Sequence, residues 1–168
     1  MHDGCPLCQP NHKEIIIDTP HFYLKASKST FDILIIPKIH FTHLTDITDD
    51  LILEFSELKK LVRKILKADF GGCIFYEHTG SGIAWSFVGH GDGHNHAHLH
   101  CASVTSQFLD KIPDGYIPRQ TNSFTEIWST KKDNPLPENY FYFEDQDERG
   151  YIIHVNDGGD FFMKESSR

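Results

Sequence analysis

Four histidines alternate with other residues in His94-Asn95-His96-Ala97-His98-Leu99-His100-Cys101-Ala102, and this run constrains the fold more than any other feature of the chain. Successive side chains of a β-strand point to opposite faces. An extended run therefore puts His94, His96, His98 and His100 on one face and Ala97, Leu99 and Cys101 on the other. The apolar face can pack on a core, which leaves the imidazoles at a cleft. Groups that titrate near neutral pH serve there as nucleophile, acid or metal ligand. The plain alternative is a solvated polar face, and strict alternation over four histidines argues against it.

The rest of the chain supplies the sheet that such a strand needs. Glu14 to Asp18 and His21 to Ala26 are short β-prone runs separated by Thr19-Pro20, which predicts strand, turn, strand. Asp32 to Ile36 predicts a third strand, stopped by Pro37, which cannot donate to a sheet ladder. The period then changes. From Thr48 as N-cap, with Asp49 and Asp50 in the first turn, apolar residues recur at Leu51, Phe55, Leu58, Val62 and Ile65. Lys59, Lys60, Arg63, Lys64 and Lys67 lie toward the C-terminal end, so one long helix is expected, ending near Asp69 before Gly71-Gly72. Cys73 to Glu77 predicts another strand, followed by Thr79 to Gly93 with five glycines, placed where a binding loop would be. Farther on, residues 139–155 predict a hairpin of Asn139 to Glu144 and Tyr151 to Val155, and a short helix is expected around Ser106 to Lys111. The pattern is a single α+β domain over residues 1–168, an antiparallel sheet with one long helix and a short helix.

Composition narrows the functions. A chain of 168 residues can bury about two-thirds of its unfolded surface in its own core. Hydrophobic residues at 39% and aromatics at 12% exclude a disordered chain. No apolar run approaches the ~20 residues of a spanning helix, so no membrane partner is expected. Lys and Arg total 16 against 24 Asp and Glu, a formal net charge of −8, which argues against long nucleic acid held by counterion release. A small anionic ligand is still accommodated, because backbone N–H groups and histidines bind phosphate locally. Met1 to Pro6 lacks the basic start and apolar core of a signal peptide, so a cytoplasmic location is expected. There the C-x-x-C spacing of Cys5 and Cys8 reads as metal or redox chemistry rather than a disulfide. Cys73 and Cys101 alternate with apolar neighbours and are expected in the core.

His96 to Ala102, H-A-H-L-H-C-A, resembles the signature of the histidine triad (HIT) superfamily, in which three histidines alternate with apolar residues and two more apolar residues follow. On that signature His96, His98 and His100 form the triad and His94 is an extra. Ile33-Leu-Ile-Ile-Pro-Lys-Ile-His40 is similar to the family's apolar strand ending in I-P-K-x-H before its long helix. Cys5-Pro-Leu-Cys8 is similar to the N-terminal C-x-x-C of its zinc-containing members, and Tyr76-Glu77-His78 resembles the strand before the phosphate-binding turn in one branch. The motifs follow the family's order over about residues 5–102.

The resemblance implies a nucleotide hydrolase or nucleotidyltransferase that cleaves a phosphoanhydride or phosphoramidate through a nucleotidyl-histidine intermediate. His98 would be the nucleophile and His100 would contact the non-bridging or leaving-group oxygens. Gly93 and its neighbour Asp92 would lie in the phosphate-binding turn, with Asp32 lining the site and His94 at its rim. Asp32 stands where many relatives have His, and Asp92-Gly93 where they carry a polar pair such as Gln-Ser. The resemblance also implies a structural zinc ion bound by Cys5, Cys8, His40 and His96, with His12 a local competitor for His40 and a pair of unligated thiols the plain alternative. It leaves room for Mg2+ accompanying the nucleotide, and it implies a homodimer with the long helix near the interface. Two other functions fit the same residues. A metal-dependent hydrolase would use the histidines as catalytic metal ligands, although no H-x-H-x-D-H continuation follows. A non-catalytic, zinc-stabilised nucleotide-binding module would keep the fold without turnover.

Overall fold

Strand alternation organises the molecule. The computed structural model describes residues 4–27, 32–78, 96–103, 118–121, 124–130 and 140–154. Its elements are β1 (Ile15–Asp18), β2 (Phe22–Ala26), β3 (Ile33–Pro37), α1 (Ile52–Phe70), β4 (Ile74–His78), β5 (Leu99–Ala102), β6 (Arg119–Thr121), α2 (Phe124–Thr130), β7 (Tyr140–Glu144) and β8 (Gly150–His154). The strands form one antiparallel eight-stranded sheet in the order β1-β2-β3-β5-β4-β7-β8-β6. This is the expected α+β architecture, with α1 packed on one face.

Register decides which residues share each face. His100 pairs with Leu34 on β3 and with Tyr76 on β4, while Cys101 pairs with Ile33 and Phe75. Paired residues project to the same side. One face thus carries Phe75, Leu99 and Cys101 into the core with Phe22, Leu24 and Ile35. The opposite face carries Asp32, Leu34, Tyr76, His78 and His100 by the same parity. The central strands join the two layers: one side of β5 is core and the other is chemistry.

Helix α1 buries Phe55, Leu58, Val62 and Leu66 at i, i+3 and i+4 spacing against the sheet. Each such side chain contributes roughly 1.5–3 kcal/mol by leaving water. Two details differ from the sequence expectation. The helix starts at Ile52 rather than after Thr48, because Thr48 sits in a turn closed by the Leu51 N–H on its carbonyl, with its hydroxyl bonded to Asp50. The apolar stripe ends on buried Leu66, and Ile65 points outward at 39% exposure. Gly71 ends the helix at φ 79°, a left-handed conformation that glycine adopts without strain, and its N–H bonds the Lys67 carbonyl.

Buried Arg63 also lies on the core side of α1. Its guanidinium and the Lys59 ammonium both meet the Glu144 carboxylate, which Tyr142 hydroxyl joins at 2.8 Å, and both cations lie over the Phe75 ring. Two elements have no counterpart in the sequence expectation. Three-residue β6 is too short to give a pattern, and α2 is rich in β-branched and aromatic residues that weaken helical propensity. Packing holds α2: Phe124 and Ile127 enter the core, and Trp128 Nε1 donates to the Ile47 carbonyl at 2.6 Å. The short helix expected around Ser106 to Lys111 lies outside the described residues.

Candidate metal centre and histidine site

Two side-chain clusters flank the start of β5. The first joins three distant parts of the chain. Cys5 and Cys8 lie in the N-terminal turn, His40 follows β3, and His96 precedes β5; one ligand atom from each comes within 4.8 Å of all the others. Cys5 Sγ and Cys8 Sγ lie 3.3 and 3.4 Å from His96 Nδ1, and Cys8 Sγ lies 3.3 Å from His40 Nδ1. A tetrahedral ion with bonds of about 2.3 Å to sulfur and 2.0–2.1 Å to nitrogen would set these separations at about 3.6 Å.

The protonation pattern suits a cation. His96 Nε2 lies 2.8 Å from the Pro37 carbonyl, which can only accept, so Nε2 carries the hydrogen and Nδ1 turns its lone pair to both thiols. Neutral thiols could be met pairwise by the His96 and His40 nitrogens, whereas a central ion engages two thiolates and two imidazoles together, as the convergence of all four donors suits. Burial is the largest influence on Cys5 and raises its pKa, while the Cys8 and Leu7 backbone N–H groups oppose it by favouring the thiolate. Burial pushes His96 down to about 4, with a smaller contribution from His40 and opposition from the Pro37 bond, so the ring is neutral at pH 7. Tyr23 hydroxyl donates to the Leu7 carbonyl at 2.6 Å and fixes the cysteine turn on β2. The four residues could thus hold a metal ion such as zinc. His12 is exposed in a 3-10 turn and does not belong to the cluster.

The second cluster contains His78, His98 and His100, whose ligand atoms also lie within 4.8 Å of one another. His98 Nδ1 lies 2.7 Å from the His96 carbonyl, so Nδ1 carries a hydrogen and the neutral ring keeps its lone pair at Nε2. That Nε2 faces His100 Nε2 at 3.1 Å. His100 Nδ1 in turn lies 3.1 Å from Asp32 Oδ2, which also accepts from Tyr76 hydroxyl. The His100 ring stacks on Tyr76 with centroids 4.4 Å apart and planes at 9°. Asp32 and His100 are 6% and 1% exposed, so this hydrogen-bonded pair is shielded from water. With both Nδ1 atoms donating, the two Nε2 atoms face each other at a distance that one shared proton or one cation would bridge.

Of the residues expected from the sequence, the structure brings Asp32, His98 and His100 together on the site face and gathers Cys5, Cys8, His40 and His96 beside them. The single surface of imidazoles does not survive intact. Regular pairing in β5 begins only at Leu99, and His96 turns to the thiols while His98 and His100 face each other. His94, Asp92 and Gly93 lie outside the described residues. The sequence did not single out Tyr76 and His78 as members of the site; their i, i+2 spacing on β4 was a signal, but it becomes informative only with the β4–β5 register. Asp32 has a role that its sequence position alone did not reveal, as the partner of His100. Cys73 and Cys101 are buried as expected, and burial raises both thiols. Among the described residues no helix is long and apolar enough to cross a membrane. No protein-family model and no curated protein matches the chain.

Proposed function

We propose that the protein is a nucleotide hydrolase or nucleotidyltransferase of the histidine triad type, acting on a nucleotide phosphoanhydride or phosphoramidate. The observation that carries this proposal is the hydrogen-bond chain Asp32–His100–His98–His96 carbonyl. In the proposed reaction His98 presents an unprotonated Nε2 beside His100, which carries the proton at its own Nε2, the pairing that attack on phosphorus requires. His98 Nε2 forms a bond to the α-phosphorus as the bond to the leaving group breaks, and the leaving group takes the proton from His100. Water or another acceptor then attacks the same phosphorus, gives its proton to His100, and the P–N bond breaks to restore neutral His98. The Asp32 carboxylate balances the imidazolium throughout.

The Cys5, Cys8, His40 and His96 cluster is proposed as a structural zinc centre, because all four positions of a tetrahedral ion come from the protein. Bound there, zinc supplies a fixed cross-link among the N-terminal turn, the end of β3 and the approach to β5. A homodimer is proposed with α1 near its interface, supported by Leu53, Leu61 and Ile65, which leave apolar surface exposed on that helix. A sedimentation mass near the chain's 19.3 kDa at micromolar concentration would exclude it. The reaction is tested by His98→Ala, which leaves the sheet intact. Nucleotide binding should persist while turnover falls by far more than the ~10²–10⁴-fold loss of an acid–base group. Retention of most activity would overturn the assignment.

A further inference from the structure

We propose that His78, His98 and His100 form a second site, for one divalent transition-metal ion, and that its occupancy withdraws His98 from nucleotidyl transfer. The binding claim stands on geometry alone; the inhibition claim rests on the function proposed above. The donors come from two adjacent strands. His78 ends β4, His98 immediately precedes β5 and His100 lies within it, and their nitrogens gather within 4.8 Å. Two imidazole nitrogens on one tetrahedral ion with bonds of about 2.0–2.1 Å stand about 3.3 Å apart. His98 Nε2 and His100 Nε2 are 3.1 Å apart, close to that spacing before any ion enters.

The surroundings of two of the rings also suit a metal. A ligating histidine commonly donates its second ring N–H to a carboxylate or backbone carbonyl, which fixes the tautomer and ring orientation. His100 Nδ1 does this to Asp32, and His98 Nδ1 to the His96 carbonyl. Both rings therefore turn Nε2 inward. His78 completes the set from the side, its ring centroid 5.5 Å from His100 and 6.0 Å from His98, with a ring nitrogen within 4.8 Å of both other donors. Three imidazoles without a thiolate select borderline ions such as Zn2+, Co2+ or Ni2+ over Mg2+ or Ca2+, which prefer oxygen. Binding releases the proton shared by His98 and His100 to solvent. The lone pair that would attack phosphorus is then committed to the ion, so the two uses of His98 exclude each other.

The test uses the full chain with one equivalent of zinc at the cysteine centre, titrated with Co2+. The expected result is one further equivalent of cobalt with visible d–d absorption and without the near-ultraviolet charge transfer of a cobalt–thiolate bond. His100→Ala should abolish that equivalent, and Asp32→Asn should weaken it about 10–100-fold through the orientation of His100. His78→Ala should also weaken it, and cobalt should then no longer suppress nucleotidyl-adduct formation. Absence of a second equivalent at tenfold excess, or one indifferent to both His78→Ala and His100→Ala, overturns the site. Adduct formation unaffected by a bound second equivalent overturns the inhibition. A metal-free second site that forms no adduct counts against the proposed function instead, and the cobalt stoichiometry still decides the site.

Discussion

Replacing Asp32 with Asn changes one charge at almost constant volume, and its effect can be bounded from the site geometry. The Asp32 carboxylate lies 3.1 Å from His100 Nδ1, and both residues are buried. At an effective dielectric of about 20, unit charges roughly 4 Å apart interact by about 4 kcal/mol, which sets an upper limit. Replacing a charge-assisted hydrogen bond by a neutral one sets the lower limit, a loss of about 1–2 kcal/mol. The proton-bearing form of His100 should lose stabilisation within that range, which corresponds to about 10-fold to 10³-fold in any step that draws on its proton. The assay is single-turnover adduct formation with two substrates that share a nucleotide and differ in leaving group. A poorly leaving amine or alkoxide depends on the His100 proton, whereas a phenolate that leaves unaided does not. Asp32→Asn should therefore slow the first substrate by about 10²-fold and the second by much less, with nucleotide affinity nearly unchanged. Asn can still accept from Tyr76 and His100, so the melting temperature should shift by only a few degrees. Equal losses for both leaving groups, or rates within twofold of the native protein, would refute the claim that Asp32 acts by holding a proton on His100.

Three further outcomes test other parts of the structure. Cys5→Ser should lower the melting temperature and the zinc content together and leave residual turnover in the folded fraction; full loss of chemistry at unchanged stability would make that ion part of the reaction. His96→Ala should act in the same way, because its Nδ1 meets both thiols while its carbonyl, the partner of His98, is retained; thermal melts with metal analysis decide this. Burial lowers the Lys59 pKa from 10.5 even though Glu144 opposes the shift, and Arg63 competes for the same carboxylate. At this one group the unfolded chain then binds more protons than the folded one just below pH 10.5, so the Lys59 contribution to stability rises with pH in that alkaline window, whereas the raised Cys73 and Cys101 thiols contribute in the opposite sense. In melts from pH 8 to 10.5 the stability of the native protein relative to Lys59→Met should therefore rise with pH, and a difference that stays flat would assign the shift elsewhere.

Features governed by local periodicity were legible in the sequence. The alternation through Leu99 and Cys101 identified the strand face that enters the core, and β1, β2, β3, β4, β7 and β8 each lie within about a residue or two of their expected bounds. Helix α1 was legible from its apolar spacing, whereas its start was misplaced because Thr48 uses its hydroxyl on Asp50 in a preceding turn. Long-range pairing was not legible. Tyr76 stacks on His100 only because β4 and β5 align in that register, and nothing local to either strand specifies it. Asp32 likewise reads as an anion in an anion-binding site until its bond to His100, 68 residues away, is seen. Burial of Arg63 was hidden for the same reason, since its partner Glu144 lies 81 residues on.

The central claim is that phosphorus becomes bonded to His98, and trapping that bond tests it most directly. A phosphoramidate to imidazole survives alkali and breaks in acid, so the protein should be mixed with α-labelled substrate, quenched in alkali and digested for mass mapping. One equivalent of nucleotide should appear on the peptide that contains His98, with fragment ions assigning it to that ring and no label in His98→Ala. Steady turnover with no label, label on another residue, or undiminished turnover in His98→Ala would contradict the account.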